Sequence, residues 1–155
     1  MPPKLRQVRD SMRRAIRDLR ISVTDRCNLR CTYCMPLSEY SWMDRKEVLR
    51  YEEIARLVTI FVSLGAEEVR LTGGEPLLRK NLENLVQQIA AIPQIKDISL
   101  TTNGLLLADK ARALKSAGLH RINVSLDSLN PAKFKKITQG GELRRVINAL
   151  RAAQK

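Results

Sequence analysis

Three cysteines lie close together in a segment without helical or strand periodicity. Cys27, Cys31 and Cys34 are the only cysteines among the 155 residues, and their spacing is C-x₃-C-x₂-C. A short loop can direct three thiolates at one centre. An odd number of cysteines packed this tightly does not form the disulfide framework of a small secreted domain, so we expect a reducing, cytoplasmic compartment. The spacing indicates binding of a metal or a metal cluster.

Several roles are open to these thiols. Cysteines that only fill space are expected in periodic core segments, whereas these stand beside Asp25 and Arg26. A closed zinc site needs a fourth protein ligand, and the only histidine, His120, is expected at the amino-terminal entry to a strand, away from the cysteines. Thiolates also hold iron–sulfur clusters, normally four per cubane. Three thiolates would leave one iron open to a substrate or cosubstrate.

The rest of the sequence repeats one unit: a short apolar run, a polar or glycine-bearing turn and an amphipathic helix. Strands are predicted at 19–24, 69–72, 98–101 and 122–126, and helices at about 51–64, 82–91, 108–117 and from 142 to the end. Asn81 is a candidate N-cap, and Asn130-Pro131 is typical of a helix start. Four βα units in series predict an α/β fold with a parallel sheet. Residues 1–18 form a basic arm before a domain over 19–155.

A polar or glycine-rich cluster follows each predicted strand. The clusters are the cysteine segment, Gly73-Gly74-Glu75-Pro76, Thr101-Thr102-Asn103-Gly104 and Ser125-Leu126-Asp127. Because the carboxyl ends of parallel strands meet at one edge of a sheet, we expect all four clusters at one rim, where ligands of such folds collect. Folding alone does not require this arrangement, so it favours a functional site.

Composition narrows the choice of partner. The chain has 28 Lys and Arg against 16 Asp and Glu, a formal net charge of +12, which favours an anionic partner. Aromatic residues are only 4% of the chain, so a base-stacking surface is not expected. No apolar run could span a bilayer, and the basic first residues lack the apolar region of a signal peptide. A basic zinc-dependent nucleic-acid-binding module remains an alternative, although we do not expect nucleic acid or a membrane as partner.

The motifs resemble those of a known family. C-x₃-C-x₂-C with Tyr33 just before the last cysteine resembles the signature of radical S-adenosylmethionine (SAM) enzymes. Four longer strings are more specific: RDLRISVTDRC at 17–27, RLTGGEP at 70–76, LTTNG at 100–104 and RINVSLD at 121–127. Together they resemble the GTP 3′,8-cyclase family of molybdenum cofactor biosynthesis, over about residues 16–150. The resemblance implies the first part of an incomplete TIM-like barrel.

The resemblance also implies three sets of ligand-binding residues. Cys27, Cys31 and Cys34 would hold one 4Fe-4S cluster with an open iron; Tyr33, Gly74 and Ser125 would contact SAM; Arg20, Arg70 and Thr101 would contact GTP. Arg20 and Arg70 are expected at strand ends, and two guanidiniums there suit a triphosphate, because each can bond two oxygens and stays charged. Glycine lets the backbone approach a ligand closely.

In that family, an electron from an external donor cleaves SAM at the cluster, and the 5′-deoxyadenosyl radical removes hydrogen from C3′ of GTP. The ribose radical then attacks C8 of guanine and gives (8S)-3′,8-cyclo-7,8-dihydroguanosine 5′-triphosphate, so the implied enzyme is a lyase. A different radical SAM reaction on a peptide or small molecule remains an alternative.

The sequence departs from the family in one respect. Family members continue with two more βα units and a tail whose three cysteines hold a second 4Fe-4S cluster, whereas no cysteine follows Cys34. The second cluster is therefore not supported. We expect this chain to be a truncated or fragmentary form of a family member. Two alternatives remain open: a half that assembles with itself or with a complementary carboxyl-terminal chain through the edge of the fourth strand, and a reduced domain with altered activity.

Overall fold

A computed structural model describes residues 8–35 and 41–154. The strands are β1 (Asp18–Ser22), β2 (Glu68–Thr72), β3 (Asp97–Thr102) and β4 (Arg121–Val124). They form one parallel sheet in the order β1-β2-β3-β4. The predicted α/β fold with four successive βα units is confirmed. The fourth strand ends two residues earlier than predicted, because the chain leaves the sheet after Val124.

Helices connect the strands and follow the last of them. They are α1 (Tyr51–Ser63), α2 (Leu82–Ala90), α3 (Leu107–Ser116), α4 (Pro131–Thr138) and α5 (Leu143–Ala153), with a short 3₁₀ turn at Pro76–Leu78. The first three agree with the predicted helices to within a residue or so. The start signal at Asn130 is also confirmed, since its side chain accepts a hydrogen bond from the Lys133 N–H. The sequence predicts only one helix in this unit, from about residue 142 to the end. The structure places two there because Gln139 and Gly140, both at positive φ, end α4.

One predicted cap is wrong. Asn81 occupies the N-cap position of α2, but its side chain makes no capping hydrogen bond and its backbone is left-handed, with φ 55°.

The basic arm is described only from Val8, and residues 1–7 lie outside the described part. In the described part of the arm, Arg9 pairs with Ala15 in an antiparallel bridge. The Val8 N–H donates to the Leu64 carbonyl, just after α1, at 2.9 Å. In the described ranges, no helix is long and apolar enough to cross a membrane.

The helices cover one face of the sheet. The strand residues packed in this core are Leu19, Ile21, Val69, Leu71, Ile98, Leu100, Ile122 and Val124. Against them, α1 buries Ile54, Val58 and Val62 and α2 buries Leu82, Leu85, Val86 and Ile89. Since side chains alternate along a strand, the residues between these core positions point to the opposite face.

That opposite face, which we call the open face, carries polar rows across the strands. One row is Asp18, Glu68 and Asp97, and the next is Arg20, Arg70, Ser99 and Arg121. The row nearer the carboxyl edge includes Thr101 opposite Asn123. Arg121 is held by the Asp97 carboxylate at 2.7 and 2.8 Å. A four-stranded sheet with apolar residues on one side and ordered charges on the other is suited to enclosing a polar ligand.

Candidate active site

The four clusters predicted to share a rim lie together at the carboxyl edge of the sheet. The Gly74 N–H donates to the Thr24 carbonyl at 2.8 Å, and the Glu75 N–H donates to the Arg26 carbonyl at 2.7 Å. These bonds attach the turn after β2 to the start of the cysteine loop, residues 24–35. On the far side, the Ser125 N–H donates to the Thr102 carbonyl at 2.9 Å. The clusters are therefore one continuous rim rather than four separate turns.

Gly73 and Gly74 are required by close backbone contact. A Cβ at Gly74 would overlap the Arg26 carbonyl and come within 2.6 Å of the Asp25 carbonyl oxygen. Gly73 faces the Thr24 backbone in the same way and also has a φ of 146°. Any larger residue would push the β2 turn away from the cysteine loop. This packing role is separate from the SAM contact predicted for Gly74.

Glu75 is a buried carboxylate for which the sequence predicts no role. Its side chain is fully buried and accepts hydrogen bonds from the Leu77 N–H at 3.0 Å, the Thr102 hydroxyl at 2.8 Å and the Asn103 N–H at 2.8 Å. Burial raises the pKa of Glu75, and the three hydrogen bonds oppose that shift. Glu75 joins the exits of β2 and β3. The only feature of the sequence that could have indicated this role is the position of a charged residue directly between Gly73-Gly74 and Pro76.

The cysteine loop crosses the top of the sheet. At its far end the Tyr33 hydroxyl donates to the Asp127 carboxylate at 3.0 Å, and the Thr32 N–H donates to the Ile137 carbonyl, at the end of α4, at 3.0 Å. Tyr33 is 67% exposed. Its pKa is raised to about 12, first by partial desolvation and then by Asp127. The loop is thus attached to both the first and the last βα unit.

The three cysteines are free thiols on this loop. Burial is the largest cause that raises the pKa of Cys27 and of Cys31, and charge interactions among the three thiols add to it. Arg30 lowers the pKa of Cys27 but is outweighed by burial. The number and type of donors fit an iron–sulfur cluster. They are not gathered as a preformed site, since in residues 8–35 and 41–154 no group of three or more His, Cys, Asp or Glu is placed to hold a metal ion.

His120 lies at the opposite edge, as predicted. It directly precedes β4, and its Nδ1 accepts a hydrogen bond from the Ile98 N–H, near the start of β3, at 3.0 Å. It is therefore not a fourth ligand beside the cysteines.

The residues predicted to contact GTP lie on the open face, below the rim. Arg20 and Arg70 are register partners in the middle of β1 and β2, so the predicted position at strand ends is wrong. Arg70 approaches Asp18 only to 3.8 Å, and its Nε is buried without a hydrogen-bond partner in the described part of the chain. Thr101 lies one row nearer the rim. Ser125, predicted to contact SAM, follows β4 at the rim and is exposed.

The chain is similar in sequence to known proteins. Residues 21–155 match the sequence model of the radical SAM superfamily. The chain belongs to the radical SAM superfamily. This radical SAM chain is 50% identical over 144 residues to the GTP 3′,8-cyclase of Petrotoga mobilis, covering 93% of the chain and 45% of that protein. It is 51% identical over 136 residues to the GTP 3′,8-cyclase of Listeria monocytogenes serovar 1/2a, covering 88% and 41%. The chain thus spans less than half the length of these relatives.

Solved structures share the fold of this radical SAM chain. SuiB of Streptococcus suis, bound to its precursor peptide SuiA, has a TM-score of 0.70 at 22% identity, covering 85% of this chain and 29% of that chain. The FeFe-hydrogenase maturase HydG from Carboxydothermus hydrogenoformans has a TM-score of 0.71 at 19% identity, covering 88% and 33%. Superfamily membership implies a 4Fe-4S cluster and SAM as cofactors, and it favours the radical enzyme over the zinc-dependent nucleic-acid-binding module.

Proposed function

We propose that this chain carries the cluster-binding, SAM-binding and part of the GTP-binding surface of a GTP 3′,8-cyclase. One observation carries the proposal: a side-by-side pair of arginines on the open face, beneath a rim that holds three free thiols. The 50% identity to GTP 3′,8-cyclases supports the same substrate.

The arginine pair is suited to a triphosphate. Arg20 and Arg70 lie directly opposite each other, and like charges in that position destabilise a sheet. The only ion pair of Arg70 in the described residues is the 3.8 Å contact with Asp18, and its Nε–H has no acceptor there. An anion between the two guanidiniums would remove the repulsion and supply that acceptor. Thr101, one row closer to the rim, would bind the nucleoside end.

The rim would hold the cofactors. Cys27, Cys31 and Cys34 would ligate one 4Fe-4S cluster and leave one iron for SAM. When bound, the two cofactors supply, with an electron from an external donor, the radical that removes hydrogen from C3′ of GTP. Tyr33 would lie against SAM, the backbone of Gly74 would accept from its ammonium, and Ser125 would donate to a carboxylate or hydroxyl of the same molecule.

The decisive experiment is anaerobic reconstitution of the full 155-residue chain, followed by iron and sulfide counting. A brown, oxygen-sensitive protein that makes 5′-deoxyadenosine with dithionite and SAM supports the proposal. GTP affinity should fall in Arg20→Gln and in Arg70→Gln but not in the surface variant Arg145→Gln. That result would support the open face as the GTP-binding surface. Iron without cleavage would limit the chain to cluster binding. Bound zinc alone would overturn the proposal.

We further propose that a polypeptide equivalent to the remaining length of the cyclase relatives covers the edge of β4. The sheet order leaves that edge without a partner strand in the described residues. Beside it, a partly apolar groove of about 640 Å³ runs between α3 and α5, lined by residues such as Leu107, Ile122 and Leu150. Mixing the chain with the separately expressed remainder of the Petrotoga mobilis cyclase tests this by light scattering. A mixed complex supports the proposal, whereas a homodimer alone, or no complex, overturns it.

A further inference from the structure

Asn103 lies where the exit of β3 meets the cysteine loop. Its backbone N–H donates to the buried carboxylate of Glu75 at 2.8 Å. Glu75 is itself held by the Leu77 N–H and the Thr102 hydroxyl. The backbone of Asn103 is therefore anchored to a buried carboxylate in the interior of the domain.

The side chain of Asn103 is oriented as well. Its Oδ1 accepts a hydrogen bond from the Leu105 N–H at 3.0 Å, which closes a local turn at Gly104. Because an N–H must face an oxygen, this bond fixes which end of the amide points away from the turn. The Nδ2 group is thereby directed at the cysteine loop.

Two groups on that loop face the Nδ2 group. It donates to the Asn28 side-chain oxygen at 2.8 Å, and it lies 4.0 Å from the sulfur of Cys27, the outer limit of a hydrogen bond to sulfur. The Leu29 N–H also faces this sulfur, at 3.4 Å. The sulfur of Cys27 is therefore approached by one N–H of its own loop and by one from the exit of β3.

We propose that Asn103 is a positioning residue for Cys27, which fixes the cysteine loop through Asn28 and presents an N–H to the Cys27 sulfur. The inference rests on the proposed cluster for its functional meaning. Groups that hold metal ligands in place govern metal affinity, and hydrogen bonds to cluster sulfurs influence reduction potential. Asn103 would thus connect the buried Glu75 carboxylate to Cys27, one ligand of the cluster, without touching the substrate.

The test uses the full chain with Asn103→Ala, Asn103→Asp and Asn28→Ala, and Asn84→Ala, on the exposed side of α2, as matched control. Asn103→Asp keeps the acceptor for Leu105, so it retains the turn if the alanine variant fails to fold. In the cluster-free protein, mass spectrometry follows alkylation of each cysteine. We expect Asn103→Ala and Asn28→Ala to accelerate alkylation of Cys27 relative to Cys31 and Cys34, and Asn84→Ala to leave the ratio unchanged.

After reconstitution, we expect Asn103→Ala to bind iron about 10-fold more weakly against a chelator. The reduction potential of Asn103→Asp should be more negative than that of wild type, because a carboxylate beside the sulfur disfavours the added electron. A purely structural role would not shift the potential. Wild-type alkylation ratios and iron retention in both Asn103 variants would overturn the inference. A wild-type chain that takes up no cluster would overturn the proposed function instead, and the alkylation ratios would then decide the positioning of Cys27 by themselves.

Discussion

The hydroxyl of Tyr33 donates to the carboxylate of Asp127 at 3.0 and 3.2 Å, across 94 residues of sequence. Tyr33 follows β1 and Asp127 follows β4, which are the two edge strands of the sheet. Neighbouring strands lie about 4.8 Å apart, so the contact requires the cysteine loop to span the width of the sheet. The loop thereby joins the segments that follow the two edge strands.

Loss of this hydrogen bond should lower the affinity for SAM more than it lowers the stability of the fold. Tyr33→Phe and Asp127→Asn remove or weaken an exposed hydrogen bond, so we expect the free energy of unfolding to fall by about 1 kcal/mol or less. The affinity of the reconstituted protein for SAM should fall in both variants, because Tyr33 loses its fixed position. Chemical denaturation and equilibrium dialysis measure the two effects. Equal SAM affinity in wild type and Asp127→Asn would contradict a positioning role for Asp127.

Gly74→Ala should separate the β2 turn from the cysteine loop. Its Cβ would overlap backbone atoms of Asp25 and Arg26, which cannot move aside as a flexible side chain would. We expect a loss of about 1–3 kcal/mol in stability, the usual cost of overpacking, and lower cluster occupancy. Thermal unfolding and iron counting measure both. Gly140→Ala is the comparison, since Gly140 has a φ of 125° but no atom within 4 Å of an added Cβ, and it should retain iron.

Glu75→Gln should destabilise the domain although the two side chains have nearly the same shape. All three partners of the carboxylate are donors. An amide NH₂ in place of one oxygen would face one of these donors and could not accept its hydrogen bond. We expect a loss of about 1–3 kcal/mol in denaturant unfolding. Glu52→Gln, exposed in the first turn of α1, is the matched control, and a loss no larger than in this control would argue against the buried network.

Arg70→Met should stabilise the chain without nucleotide and weaken GTP binding. The substitution removes a buried N–H without a partner in the described residues and the like charge opposite Arg20. We expect a gain of about 1 kcal/mol, with a smaller difference at high salt because the repulsion is screened. Denaturation at low and high salt, with nucleotide titration, measures this. If Arg145→Met, on the exposed side of α5, weakened nucleotide binding equally, the effect would be one of net charge only.

Tyr51 should make stability fall at high pH. Burial raises its pKa from 10.0 to about 12, and its hydroxyl donates to the Lys80 carbonyl at 2.8 Å. Because the folded pKa lies above the unfolded one, the contribution of the neutral phenol is present below pH 10 and is lost as the pH rises toward 12. Unfolding of Tyr51→Phe should therefore depend less on pH over that window than unfolding of wild type. Parallel curves for the two proteins would contradict the prediction.

Several features followed from local sequence alone. The 3.6-residue period of the apolar residues predicted α1 to within a residue, and the apolar runs ending in Thr72 and Thr101 predicted β2 and β3, although β3 continues to Thr102. The Asn130-Pro131 start of α4 could be recognised, yet its short length before Gln139 could not, because the end depends on a left-handed residue that is not glycine. The mid-strand position of Arg70 became clear only from the observed bounds of β2, and its place opposite Arg20 only from the register of the two strands.

The sequence by itself determined four βα units in series, and it brought the cysteine, glycine and Asp127 clusters to one edge, since the carboxyl ends of parallel strands lie at the same edge of a sheet. Tertiary structure alone decided which side chains meet there. Glu75 is buried between two turns, Asn103 faces Cys27, and Tyr33 reaches Asp127, because such contacts depend on strand register and loop path between segments far apart in the chain. Periodicity describes one element at a time, whereas the site is made of contacts between elements.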